Sequence, residues 1–145
     1  MYLLIAIVIV VFVWRVAHTG NIRENLDIRV LNLAGTEASS DEIVVISPES
    51  DDKAISPLVV RGRARGSWYF EASAPIAIYD TQGNVLGRSF VMAQGEWMTS
   101  DFVNFEGKIE FEDVGVERGF LVFMNDNPSG EASRAKYVAL PVYFK

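Results

Sequence analysis

The chain has 145 residues, 50% hydrophobic and 12% aromatic, with a formal charge of −6 and no cysteine. That length holds one domain of ordinary size, and that composition is too apolar for a disordered chain. The negative charge disfavours nucleic acid as a partner, and the missing thiols exclude disulfides, thiolate metal sites and cysteine nucleophiles.

Residues Tyr2 to Trp14, YLLIAIVIVVFVW, carry no polar side chain, and ten of residues 3 to 13 are Leu, Ile, Val or Phe. Together those ten contribute about −3 to −6 kcal/mol to insertion at a bilayer centre. Extended as a helix through Ala17, the run spans about 25 Å, slightly less than a hydrocarbon core of ~30 Å. Residues 1–18 are therefore expected to form a transmembrane anchor or uncleaved signal. A cleaved signal peptide and a buried helix of the fold are the alternatives, and the cleavage site VAHTG is a poor one. No Lys or Arg precedes the run, whereas Arg15, Arg23 and Arg29 follow it. Taken alone, that bias places the C-terminal domain in the cytoplasm.

Residues 19–42 read as stalk and linker. Ile22, Leu26, Val30 and Leu33 share one face at helical spacing, Asn21 offers an N-cap, Glu24 sits at the capping-box position and Gly35 offers a stop. GTEASSDE, from Gly35 to Glu42, has the composition of a flexible linker.

Residues 43–145 change period and carry the net charge, with ten Lys and Arg against sixteen acids from residue 41 onward. Leu58, Val60, Gly62 and Ala64 alternate with Val59, Arg61, Arg63 and Arg65. Ile109 and Phe111 lie between Lys108, Glu110 and Glu112, while Val138, Leu140, Val142 and Phe144 close the chain. Each reads as a half-buried strand. Further strands are expected at Ile43 to Ile46, Trp68 to Ala72, Ile76 to Tyr79, Val85 to Met92 and Gly119 to Met124. SPESDD, RGS, DTQGN, AQGE, NFEG and DNPSG supply turn residues between them. Seven to eight short strands without helical crossovers predict an all-β antiparallel sandwich. Pro141 marks the last strand as an edge or a bulge.

The order of ISP, SPLVVRGRARGSWYFEASAPIAIYDTQGNVLG, AQGEWMTSDFVNFEGKIEF, DNPSG and LPVYF resembles the immunoglobulin-like domain of bacterial spore-germination proteins, over Ile43 to Phe144. The resemblance implies an extracytoplasmic sandwich without known enzymatic activity, behind a signal or anchor and often beside a companion domain, which is not expected in these residues.

Catalytic material is sparse. The only histidine, His18, falls beside the anchor, which leaves the sandwich no Ser-His-acid relay and no histidine zinc site. Glu96 and Asp101 flank Trp97 in GEWMTSDF, and paired acids at the right separation cleave glycosides. The competing reading is a structured turn in which Thr99 or Asp101 bonds nearby backbone and Trp97 caps the sandwich. Arg61, Arg63 and Arg65 project from one face at intervals of about 6.7 Å, suited to an anionic wall polymer or a partner's acids. Cross-strand pairing with some of the sixteen acids, for instance Glu110 or Glu112, competes with that reading. Asn125, Asp126 and Asn127 offer oxygens to calcium but read more simply as a turn. Trp68, Tyr69 and Phe70 must divide between two faces if extended. The sequence thus predicts no enzyme and no cofactor. It predicts a membrane-anchored module that engages an envelope protein or cell-wall polymer, with Trp97, Glu96, Asp101, Arg61, Arg63 and Arg65 as candidate contacts. A passive spacer in a membrane complex is the alternative, and a carboxylate-dependent glycan hydrolase the remote one.

Overall fold

The computed structural model describes residues 26–144. The expected anchor, residues 1–18, lies outside them, as does the first part of the expected stalk. No helix among the described residues is long and apolar enough to cross a membrane.

Eight strands form the domain: β1 (Thr36–Glu37), β2 (Ile43–Ser47), β3 (Leu58–Arg65), β4 (Ser73–Asp80), β5 (Val85–Ala93), β6 (Phe102–Ile109), β7 (Arg118–Met124) and β8 (Lys136–Tyr143). Their hydrogen-bonded order is β1-β8-β7-β4-β5-β6-β3-β2. The sheet curls into two layers because β5 changes partner. It pairs with β4 from Val85 to Met92 and then with β6 over Val91–Ala93. The layer β2-β3-β6 thereby faces the layer β4-β7-β8, as strands A-B-E face C-F-G in an immunoglobulin sandwich. Val60, Ile109 and Phe105 from one layer meet Ile76, Ile78, Leu121 and Phe123 from the other in a single core. The rings of Phe105 and Phe123 are 5.6 Å apart across the layers. Burial of each such large side chain contributes about 1.5–3 kcal/mol.

The alternation in β3 is as the sequence reads: Val60, Gly62 and Ala64 are buried, and Val59, Arg61 and Arg63 are exposed. In β5 a bulge interrupts the period between the pairs Ile78–Gly87 and Tyr79–Val85. The extra residue turns Leu86 into the core while Arg88, Phe90 and Met92 remain outside.

Three expectations are corrected. Gly35 to Glu42 is not a free linker, because β1 pairs in parallel with Lys136 and Tyr137 and Ala38 continues by donating to the Tyr137 carbonyl. Backbone pairing with an open edge depends on no particular side chain, so composition does not register it. Trp68 to Ala72 is not a strand. Gly66–Trp68 forms a 3₁₀ turn, followed by a tight hairpin in which Phe70 and Ser73 exchange both backbone bonds. The turn rotates Trp68 and Tyr69 inward together and leaves Phe70 outside. NFEG is not a turn either. It lies inside β6, where a side chain at Gly107 would come within 2.7 Å of the Phe90 carbonyl.

The described end of the expected stalk belongs to the domain. Ile28–Leu31 is a single 3₁₀ turn capped by Asp27, whose carboxylate accepts from the Arg29 amide, and it ends at Asn32 in the left-handed region. Leu31 is buried against Ala77, Tyr79, Phe120 and Val122 on the outer face of β4 and β7, with Leu26, Ile28 and Leu33 beside it. Val30, expected on the apolar stripe, is exposed. Gly83, at φ +88° in the β4–β5 turn, accommodates this segment: a Cβ there would stand 2.6 Å from the Val30 carbonyl.

Pro141 lies in β8 beyond the two residues paired with β1. Its carbonyl accepts from Asp51, and Tyr143 exchanges bonds with Asp52 and Ala54 on the same side. Since N–H and C=O of one residue share a side in an antiparallel strand, the missing proline donor points away from β7.

Candidate functional site

The turn between β5 and β6 carries the candidate carboxylates. Trp97 is half-buried against the core, as a cap to the sandwich requires. The Glu96 carboxylate accepts from the Met98 amide at 3.0 Å, and the Asp101 amide donates to the Thr99 hydroxyl at 3.2 Å. The Thr99 amide donates to the Trp97 carbonyl at 2.8 Å, and the Gly66 amide to the Asp101 carbonyl at 3.2 Å. These bonds clamp the turn over Gly66, where a Cβ would lie 1.9 Å from the Thr99 oxygen and 2.3 Å from the Trp97 oxygen. Glu96 and Asp101 border one shallow groove of about 390 Å³ with Phe102 and Asn104. Glu96 thus caps its own loop.

Tyr69 braces the same end from inside. Its hydroxyl donates to the Val103 carbonyl at 2.8 Å, and burial pushes the phenol up to about 12. The sequence shows Tyr69 only as one of three consecutive aromatics. Its role depends on the 3₁₀ turn that sends it inward.

The three arginines separate into three roles. Arg61 stands opposite Glu106 in the β3–β6 register and pairs with it at 2.7 Å. Cross-strand pairing with an acid therefore occurs as one reading expected, and the β3–β6 register makes that acid Glu106 rather than Glu110 or Glu112. Arg63 lies over the Phe102 ring at 5.0 Å and makes no ion pair among the described residues. Arg65 covers the same ring at 4.0 Å and donates to the carbonyls of Asp41 and Ser100. Arg65 thus ties β3 to the neighbouring loops, and Arg63 keeps its charge available.

At the end of the sandwich beyond Trp68, a polar groove of about 470 Å³ runs between Ser67 and the β7–β8 loop. Glu42 and Lys136 pair across it, and the hydrogen bond from Lys136 holds the Glu42 carboxyl below its ordinary value. Of the residues considered for calcium, Asn125 and Asn127 have their side-chain oxygens engaged in closing the loop. Asn125 bonds the Arg134 carbonyl and the Lys136 amide, while Asn127 bonds the Glu131 carbonyl and the Ser129 hydroxyl. No group of three or more His, Cys, Asp or Glu suited to a metal occurs among the described residues.

An all-β body whose curled, largely antiparallel sheet folds into two facing layers around one core is an immunoglobulin-like sandwich. Residues 42–132 match the family model for the immunoglobulin-like domain of bacterial spore germination, and the chain belongs to that family. No curated protein and no solved structure matches it significantly. The match ends before β8 and begins after β1, so the edge pairing and the packed segment around Leu31 lie outside it.

Proposed function

We propose that this chain is a non-catalytic recognition module of the bacterial envelope, related to germination through its family. It is tethered by its N-terminal apolar run, with the sandwich displayed outside the cytoplasm to engage another envelope protein or a wall polymer. The observation that carries the reading is the outer face of β3, where Arg63 is exposed, unpaired and held on a rigid strand between Arg61 and Arg65. A charge fixed in this way loses little side-chain freedom on binding, which favours recognition. Family membership supports the reading, because such domains occur in germination proteins.

Two experiments on cells test it. Protease added to intact cells destroys the domain if it is displayed outside, and protection until lysis refutes the placement. Replacement of residues 26–145 by an unrelated sandwich abolishes the cellular function if recognition is specific. Retained function instead establishes a passive spacer.

A further inference from the structure

The outer faces of β3, β6 and β5 form one surface whose character departs from the rest of the domain. Register places Arg61 beside Glu106 and Glu106 beside Met92, with Arg63 beside Asn104 and Val59 beside Lys108 in adjacent rows. The outward positions of these three strands hold Arg61, Arg63, Arg65, Arg88 and Lys108, half of the ten Lys and Arg in residues 26–144, against the single carboxylate Glu106. The remaining surface carries nearly all of the acids. Glu110, one residue past β6, makes no ion pair with Arg88, and Arg63, Arg88 and Lys108 form none among the described residues. In the middle of these cations Phe90 is 56% exposed and Met92 50% exposed, two neighbouring outward positions of one strand.

We infer that this face docks an acidic protein segment bearing apolar side chains, laid across β3, β6 and β5. The inference rests on the recognition reading above and chooses between its two partner classes. Arg63, Arg88 and Lys108 supply unpaired positive charge on an otherwise negative body, so a negative partner is steered to this face and repelled elsewhere. Phe90 and Met92 decide what kind of anion it is. Covering them is favourable only for a partner that brings apolar groups of its own, and aromatic, Met and Arg side chains are those enriched in protein interfaces. A polyphosphate or polyuronate chain would neutralise the arginines and leave both apolar side chains in water.

The full-length chain in neutral detergent micelles is titrated into three labelled probes, with protein-free micelles as blank. The probes are a short peptide alternating Glu with Leu and Phe, a polyglutamate of equal charge and a glycerol phosphate polymer. The mixed peptide is expected to bind about tenfold or more tighter than either polyanion, and Arg63→Glu with Arg88→Glu to weaken it about tenfold. Phe90→Ala is expected to weaken the peptide and leave polyglutamate unchanged. Lys108→Glu provides a second charge reversal should the double variant fail to keep the parent urea midpoint. Equal binding of all three probes, or indifference to these substitutions, overturns the inference. A photo-crosslinker placed in cells at Phe90 and, separately, at Ser133 in the polar groove separates the two levels. Adducts with another protein at Ser133 but not at Phe90 overturn the docking face and keep the recognition module. Adducts at neither position overturn both, and adducts at Phe90 only with further copies of this chain overturn the proposed partner.

Discussion

Tyr69→Phe offers a test whose sign reverses with pH. At pH 7 the substitution removes the bond from the buried hydroxyl to the Val103 carbonyl, at a cost of about 1 kcal/mol. Burial pushes the Tyr69 phenol up to about 12 in the folded protein, whereas an unfolded tyrosine ionises near pH ~10. The associated stability is fully present below the unfolded value and is lost as pH rises through the folded one. By pH 12 ionisation has cost the parent about 2 kcal/mol, a loss that the phenylalanine variant, with nothing to ionise there, does not undergo. The variant is therefore expected to be less stable at neutral pH by about 1 kcal/mol and more stable by about 1 kcal/mol at pH 12. Urea denaturation followed by tryptophan fluorescence, at intervals from pH 7 to 12, measures the difference. The other tyrosines and the lysines are common to both proteins and cancel. A stability difference that stays constant across the alkaline range would refute the assignment of a buried, hydrogen-bonded phenol.

The hairpin after Tyr69 places Glu71 and Ala72 at positive φ, 49° and 62°, so Ala72→Gly is expected to raise stability by about 1 kcal/mol in the same denaturation assay. Gly66→Ala is expected to cost about 3 kcal/mol or more, because the new methyl meets the backbone of the Trp97–Thr99 turn, and the loss is read as a lowered urea midpoint. Asp80 is nearly buried, which raises its pKa, but the Asn84 side chain and the amides of Asn84, Gln82 and Gly83 together pull it lower still. Its stabilisation is present above the ordinary aspartate value of 3.8 and disappears as pH falls through the folded value. Asp80→Ala should therefore cost about 2 kcal/mol at neutral pH and show a flatter acid limb than the parent; parallel acid limbs would contradict this. Leu31→Ala is expected to cost about 2–3 kcal/mol by thermal or urea unfolding, since Leu31 is buried although it lies outside the family match. No effect would mean that residues 26–33 do not pack on β4 and β7.

Sequence alone determined the class of fold and the faces of most strands. A half-buried strand writes its environment into every second residue, and β3, with Val60, Gly62 and Ala64 inside and Arg61 and Arg63 outside, is legible without any knowledge of its neighbours. The turns DTQGN and DNPSG were legible for the same reason: Asp80 and Asn127 bond groups only a few residues away. Tertiary structure decided whatever depended on residues distant in the chain. The partner of Arg61 follows from the β3–β6 register, and the inward turn of both Trp68 and Tyr69 from a 3₁₀ turn closed under the Trp97 loop. The strand at Thr36–Glu37 arises from backbone bonds to β8, a hundred residues further along. The cationic, partly apolar face appears only when β5 curls over to meet β6, because no local period brings Phe90 and Met92 beside Arg61 and Lys108. Side-chain periodicity is a property of single strands, whereas register and curvature arise from long-range pairing that single-strand patterns do not encode.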